Sequence, residues 1–188
     1  MPTPDRVALL LLAGGRSRRF GDADKLSVDL NGVPLGLHAA NALSALPFAA
    51  RIAVVGGTAL RFPGFETVHN DAPEAGMSRS LALGVAAARA ADPQAVLVML
   101  ADMPFVSADH VRRVLAAGDG ATALVASSAG DTAMPPALFG ADYFDALETQ
   151  SGDKGARHLL RTAHIVTTAP GELADIDTPE DLARFTGA

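Results

Sequence analysis

The sequence predicts an α/β protein, a three-layer α/β/α arrangement around a mostly parallel sheet. Three observations carry this. Apolar runs alternate with helical patterns of ten or so residues, the rhythm of βαβ units. The run Val7 to Leu12 is apolar throughout, as a strand buried on both faces must be, and it enters the glycine-rich stretch Gly14-Gly15 near the N-terminus. A hydrophobic content of 49% over 188 residues, rich in Ala, Val and Leu, fits one compact domain that buries about two-thirds of its unfolded surface. A strand that enters a ligand loop at its carboxyl end makes the architecture Rossmann-like.

The elements follow in order. Strands are predicted at Val7–Ala13, Arg51–Val55, Glu66–His69, Ala95–Leu100, Thr122–Ala126 and His164–Thr167, and helices at Leu35–Leu46, Ser78–Ala91, Ser107–Ala116, Tyr143–Leu147, Lys154–Thr162 and Pro179–Phe185. Ser107 precedes an apolar-periodic run with Asp109 in its first turn, an N-cap pattern. Ser127–Pro136, with small residues and two prolines, reads as a mobile loop near the site. Asp177-Thr178-Pro179-Glu180-Asp181 is a helix start, with proline at the first helical position and acids in the first turn.

Composition narrows the function. No apolar run approaches the ~20 residues that span a bilayer, and the N-terminus has no basic region that would open a secretion signal. The absence of cysteine excludes disulfides, thiolate metal sites and cysteine nucleophiles, and with the above predicts a cytoplasmic protein without a membrane partner. A net charge of −6 argues against nucleic acid as a partner.

Against this acidic background, Leu11 to Lys25 is a local cationic feature. Gly14, Gly15 and Gly21 let backbone N–H groups approach an anion, and Arg16, Arg18, Arg19 and Lys25 add positive donors. The pattern reads as a phosphate site, although it is neither a Walker loop nor a dinucleotide fingerprint. The strand Val96 to Leu100 ends in Ala101-Asp102-Met103-Pro104, which puts a carboxylate at the carboxyl end of a central strand. Magnesium takes one or two carboxylates plus substrate phosphates, so Asp102 is a metal candidate, or else a turn aspartate. Asp177 is the candidate second ligand, with Asp175 as runner-up; Asp177 can also cap the helix that follows. Gly76 permits an unusual backbone angle before a helix, and Ser78 and Ser80 there either cap it or donate to a ligand. Ser151 to Arg157 is a second polar helix start, where Asp153 and Lys154 reach a substrate or only cap and solvate it. His38, His69, His110, His158 and His164 show no metal-ligand spacing and read as structural or surface residues.

At this point the residues resemble a family, the MobA-like nucleotidyltransferases. Leu11-Leu12-Ala13-Gly14-Gly15 through Lys25 looks like their signature loop. The likeness continues in family order through Asn31-Gly32-Val33-Pro34-Leu35, Gly76-Met77-Ser78, Leu100-Ala101-Asp102-Met103-Pro104, Pro135-Pro136-Ala137-Leu138-Phe139, Gly152-Asp153-Lys154-Gly155-Ala156-Arg157 and Asp175-Ile176-Asp177-Thr178-Pro179. It covers nearly the whole of 1–188, read as a single MobA-like NTP transferase domain with the nucleotide-diphospho-sugar transferase type of fold.

The resemblance implies Mg²⁺-dependent transfer of a nucleoside monophosphate from a nucleoside triphosphate to molybdopterin, with release of pyrophosphate. Leu12, Ala13, Gly14, Gly15 and Ser17 would line the nucleotide with Gly76, Ser78 and Ser80. Arg19 and Lys25 would offset charge on the triphosphate and leaving group, Asp102 and Asp177 would hold Mg²⁺, and Asp153, Lys154 and Arg157 would lie toward the acceptor. Gly76-Met77-Ser78-x-Ser80-Leu81 and Gly152-Asp153-x-Gly155-Ala156-Arg157 resemble the cytidylyltransferase branch and favour CTP. Gly14-Gly15 and Asp24-Lys25 resemble the guanylyltransferase branch and GTP. The implied partners are the triphosphate, a molybdopterin-type acceptor and a molybdoenzyme. The rivals are the same chemistry on another phosphorylated acceptor, such as a sugar phosphate, and a non-catalytic cofactor-delivery module.

Overall fold

The computed structural model describes residues 3–14, 20, 24–150, 156–169 and 171–186. Along the chain run β1 (Val7–Ala13), β2 (Asp29–Leu30), β3 (Val33–Pro34), α1 (Leu37–Ala42), β4 (Ala50–Val55), β5 (Glu66–His69), α2 (Met77–Ala88), β6 (Ala95–Leu100), α3 (Ala108–Ala117), β7 (Leu124–Ser128), β8 (Met134–Gly140), α4 (Phe144–Thr149), β9 (His164–Thr167) and α5 (Pro179–Phe185). Seven strands form one sheet in the order β5-β4-β1-β6-β8-β7-β9, and only β8 runs against the rest.

Alternation along β1 explains the layers. Val7, Leu9, Leu11 and Ala13 point to one face, where Ala39 and Ala40 of α1, Leu43 just after it, and Val111, Val114 and Leu115 of α3 cover them. Ala8, Leu10 and Leu12 point to the other, beneath Leu81, Val85 and Ala88 of α2 and Phe144 and Leu147 of α4. A strand covered on both faces must be apolar at every position, and all seven residues of β1 are buried. A smaller cluster packs Leu30, Leu35 and Ile176 under α5, with the Phe105 and Phe185 rings 4.4 Å apart.

Besides end shifts, such as the strand predicted at Thr122–Ala126 and found at Leu124–Ser128, three predicted elements differ from the structure. The predicted Leu35–Leu46 helix shortens to α1, because the Arg51 guanidinium donates to the Leu43, Ser44 and Leu46 carbonyls and holds that end unwound. Lys154–Thr162 is not an α-helix over its described part; it turns at 156–158 into a short 3₁₀ segment, Leu159–Thr162. Ser127–Pro136 is not a loop at its ends: Ser127 and Ser128 finish β7, and Met134 begins β8. Prolines cannot donate to a ladder, and Pro135-Pro136 sit in a bulge where Ser127 pairs with Met134 and Ala126 with Ala137. The Ser127 hydroxyl donates to the Pro136 carbonyl instead, at 2.7 Å. Among the described residues, no helix is long and apolar enough to cross a membrane.

Candidate active site

The strand order places the site. From β1 the chain builds β4 and β5 on one side and β6 on the other, so the order reverses beside β1. Carboxyl ends of strands flanking such a reversal open a crevice where α/β ligands bind. The Ala101 N–H donates to the Leu12 carbonyl at 3.0 Å, which draws the end of β6 against the end of β1. Gly14 and Asp102 therefore leave adjacent strand ends.

Asp102 meets Lys25 there. Lys25 Nζ donates to Asp102 Oδ2 at 2.8 Å and to Asp177 Oδ1 at 2.9 Å. Lys25 is buried at its root by a short turn, Lys25–Ser27, which Asp24 caps by accepting from the Leu26 N–H. Asp177 is brought in by a backbone link: the Ile176 N–H donates to the Asp102 carbonyl at 3.0 Å. Asp177 is not the cap of α5. Thr178 takes that role in a reciprocal pair with Asp181, which leaves the Asp177 carboxylate turned to Lys25. Burial works against the Lys25 ammonium, but the charges and hydrogen bonds of Asp102 and Asp177 outweigh it and hold Lys25 above its ordinary range. Burial, then the negative charges of Asp177 and Asp102, push the neighbouring Asp175 carboxyl up.

One atom of this cluster is incomplete. Asp102 Oδ1 is buried and has no hydrogen-bond partner among the described residues. A buried carboxylate oxygen without a donor is costly unless a ligand or ion completes it. Two carboxylates with one such oxygen are hard donors of the kind that suits a divalent ion. No group of three or more His, Cys, Asp or Glu able to hold a metal occurs among the described residues; Mg²⁺ commonly takes one or two carboxylates with substrate phosphates and water.

The start of α2 forms the opposite wall. Its N-cap position is Gly76, at φ 92° and ψ 179°, so no side chain caps the helix. Ser78 does not take that position; it lies inside the first turn, buried. Ser80 is also buried, and its Oγ accepts from Asn70 Nδ2 at 2.9 Å. A Cβ on Gly14 would fall 2.9 Å from Ser80 Oγ, so Gly14 lets β1's exit lie against α2. Leu12 and Ala13 are buried in the sheet below.

A cavity runs on from this crevice, between Leu12, Leu81, Val98, Met103 and Met134, with Arg157 and Asp175 as its charged groups. Arg157, expected on the acceptor side, lies on this cavity and not beside Lys25. Gly15, Ser17, Arg19, Asp153 and Lys154, with Arg16 and Arg18, lie outside the described residues. Sequence reasoning read Asp24 only as a branch mark beside Lys25 and missed its role as a cap; its carboxylate accepts from Thr58 Oγ1, Ser27 Oγ and two backbone N–H groups. Its signal was available: an acid one residue before an essential-looking lysine is a natural turn cap.

Known proteins resemble this chain in sequence and in shape. The chain is 34% identical to a molybdenum cofactor guanylyltransferase of Cereibacter sphaeroides, over 95% of each chain. It is 32% identical to the purine catabolism protein PucB of Bacillus subtilis, over 92% of each. Its fold superposes on the crystal structure of Rv0371c from Mycobacterium tuberculosis H37Rv with a TM-score of 0.86, over the full length of both chains at 23% identity. Residues 9–168 match the profile of the MobA-like NTP transferase domain, and the chain therefore belongs to that family of nucleotidyltransferases.

Proposed function

We propose that this protein transfers CMP from CTP to molybdopterin, releasing pyrophosphate, and that it needs Mg²⁺ to do so. The observation that carries the reading is the cluster of Lys25, Asp102 and Asp177, with Asp102 Oδ1 lacking a partner among the described residues. A structural ion pair would gain from complete pairing; a site that awaits an ion and a polyphosphate leaves an oxygen open.

In this reading the acceptor phosphate attacks the α-phosphorus of the triphosphate, one P–O bond forms, and the bond to pyrophosphate breaks. The nucleophile is already an anion, so no side chain need act as a base. The work of the chain is positioning and charge. Asp102 and Asp177 would hold Mg²⁺, which when bound neutralises phosphate oxygens and stabilises the charge that develops at transfer. Lys25, released from the carboxylates, offsets charge on the triphosphate and pyrophosphate, with Arg19 as its partner. The backbone of Leu12, Ala13, Gly14 and Gly15, with Ser17, lines the nucleotide. The first turn of α2 after Gly76, with Ser78 and Ser80 in it, faces it from the other side. The cavity with Arg157 takes the acceptor, and Asp153 and Lys154 act on the acceptor side.

Cytosine is favoured by Gly76-Met77-Ser78 and by Gly152-Asp153-Lys154-Gly155-Ala156-Arg157. Guanine is the second reading, supported by the name of the Cereibacter sphaeroides relative and by Gly14-Gly15. The test compares CTP, GTP, ATP and UTP with Mg²⁺, by thermal shift and by pyrophosphate release with molybdopterin. A nucleotide at 100 times its dissociation constant raises stability by about 2.7 kcal/mol, a clear shift. A response to CTP alone supports the first reading and one to GTP alone the second. No pyrophosphate release with any of the four overturns both.

A further inference from the structure

Asp24 and Thr58 stand 34 residues apart in sequence and meet through a 2.6 Å hydrogen bond from Thr58 Oγ1 to Asp24 Oδ2. We infer that Asp24 is a positioning residue for Lys25, and that Thr58, on the segment after β4, holds Asp24 in place. The inference rests on the proposed role of Lys25 in transfer.

Four donors converge on the Asp24 carboxylate. Besides Thr58 they are Ser27 Oγ at 2.7 Å, the Leu26 N–H at 3.1 Å and the Ala59 N–H at 3.3 Å. Two donors come from the turn that carries Lys25, and two from the segment after β4. The carboxylate therefore ties the root of Lys25 to the sheet's own frame. Thr58 is fixed in turn, because its Oγ1 accepts from the Leu60 N–H at 3.1 Å. The same segment reaches the other end of the cationic stretch: a Cβ on Gly14 would lie 3.7 Å from the Gly56 nitrogen. Gly14 and Asp24, which bracket that stretch in sequence, thus both rest on residues 56–59.

The physical need is plain. Lysine loses much rotamer freedom when ordered, and a Lys25 ammonium aimed at the crevice must start from a fixed root. A misplacement of about 1 Å at a charged group in a phosphoryl-transfer site can cost about a hundredfold in rate. Burial opposes the ionised Asp24, yet the donors from Thr58, Ser27, Leu26 and Ala59 hold its carboxyl below the usual range, so it stays an acceptor.

The sequence has lysines at 25 and 154 alone, which makes a direct readout possible. In protein labelled with ¹⁵N-lysine, two side-chain Nζ signals are expected, assigned by Lys154→Arg. The Lys25 signal, held between two carboxylates, should stand apart from that of a free lysine. In Asp24→Asn and in Thr58→Val it should move toward the free position, and in Thr58→Ser it should stay. In parallel, kcat for pyrophosphate release should fall about tenfold in the first two variants with KM for the nucleotide within about twofold, and Thr58→Ser should keep the wild-type rate. A Lys25 signal that stays put in both Asp24→Asn and Thr58→Val overturns the inference, even if both proteins melt earlier, since a purely structural cap would lower the melting temperature alone. Absence of pyrophosphate release from the wild-type protein would sink the proposed function and leave the lysine signal to decide this point separately.

Discussion

Two polar clusters lie within this fold, and they are finished to different degrees. Around His110, on α3, every group is paired. The His110 ring is fully buried; Arg113 Nη2 donates to its Nδ1 at 3.0 Å, and its Nε2 lies 2.7 Å from Ser127 Oγ. Ser127 spends its proton on the Pro136 carbonyl, so Nε2 must be the donor in the His110 contact. Around Lys25, the two carboxylates share one ammonium, and Asp102 Oδ1 has no partner among the described residues. The first cluster completes a strand bulge that prolines left short of donors. The second is complete only with something added. Completeness of hydrogen bonding, more than burial or charge, separates a structural cluster from a working one.

The sharpest break of this contrast removes the unfinished acid. Asp102→Ala should lower pyrophosphate release by about a thousandfold or more, near 4 kcal/mol in the barrier, while the melting temperature stays within a few degrees of wild type. Release near the wild-type rate would show that the open oxygen serves no transfer chemistry. The matching change in the finished cluster is His110→Leu. It should destabilise the fold by about 1–3 kcal/mol, because Ser127 and Arg113 lose a buried partner, and leave kcat within about threefold. Denaturant melts with saturating kinetics check both halves. A large fall in kcat with an unchanged fold would erase the distinction between the clusters.

A smaller effect tests the wall that both strand ends share with α2. Gly14→Ala puts a methyl group 2.9 Å from Ser80 Oγ and should cost about 1–3 kcal/mol through crowding. Ser80→Ala removes the obstructing oxygen, so the double variant should recover part of that loss. If the two losses simply add, Gly14 is needed for some reason other than its closeness to Ser80.

Much of this was legible in the residues, and what was not has a physical cause. Glu66–His69, Ala95–Leu100, His164–Thr167 and Pro179–Phe185 form where the pattern put them, because their periodicity or caps are local. β8 hid behind Pro135-Pro136, since proline reads as a strand breaker unless a bulge absorbs it. The β2–β3 hairpin carries an Asn31-Gly32 turn at φ 53° and 86°, a hairpin signal that was read only as part of a family pattern. Lys25, Asp102 and Asp177 were each picked out, but their mutual contact spans 77 and 152 residues, and only the topology joins them. The Thr58 contact to Asp24 was invisible for the same reason, since it spans 34 residues.

The finest test of the contrast uses pH. Burial first, and the Arg113 charge after it, push the His110 imidazole below its ordinary value, against the opposing pull of Glu172. In the unfolded chain the same ring titrates near 6.5. Between the depressed folded value and about 6.5, the unfolded state binds the extra proton, so stability rises with pH across that window. The His110 contribution is therefore full above about pH 6.5 and is lost as pH falls below it, at up to about 1.4 kcal/mol per pH unit for one proton. His110→Leu removes this linkage. Its melting temperature should lie below that of wild type at pH 7.5, and the gap should narrow steadily toward pH 5.5. Parallel curves for the two proteins would mean that the His110 ring titrates alike in the folded and unfolded states, and the finished cluster would then admit a charge that its neutral pairing forbids.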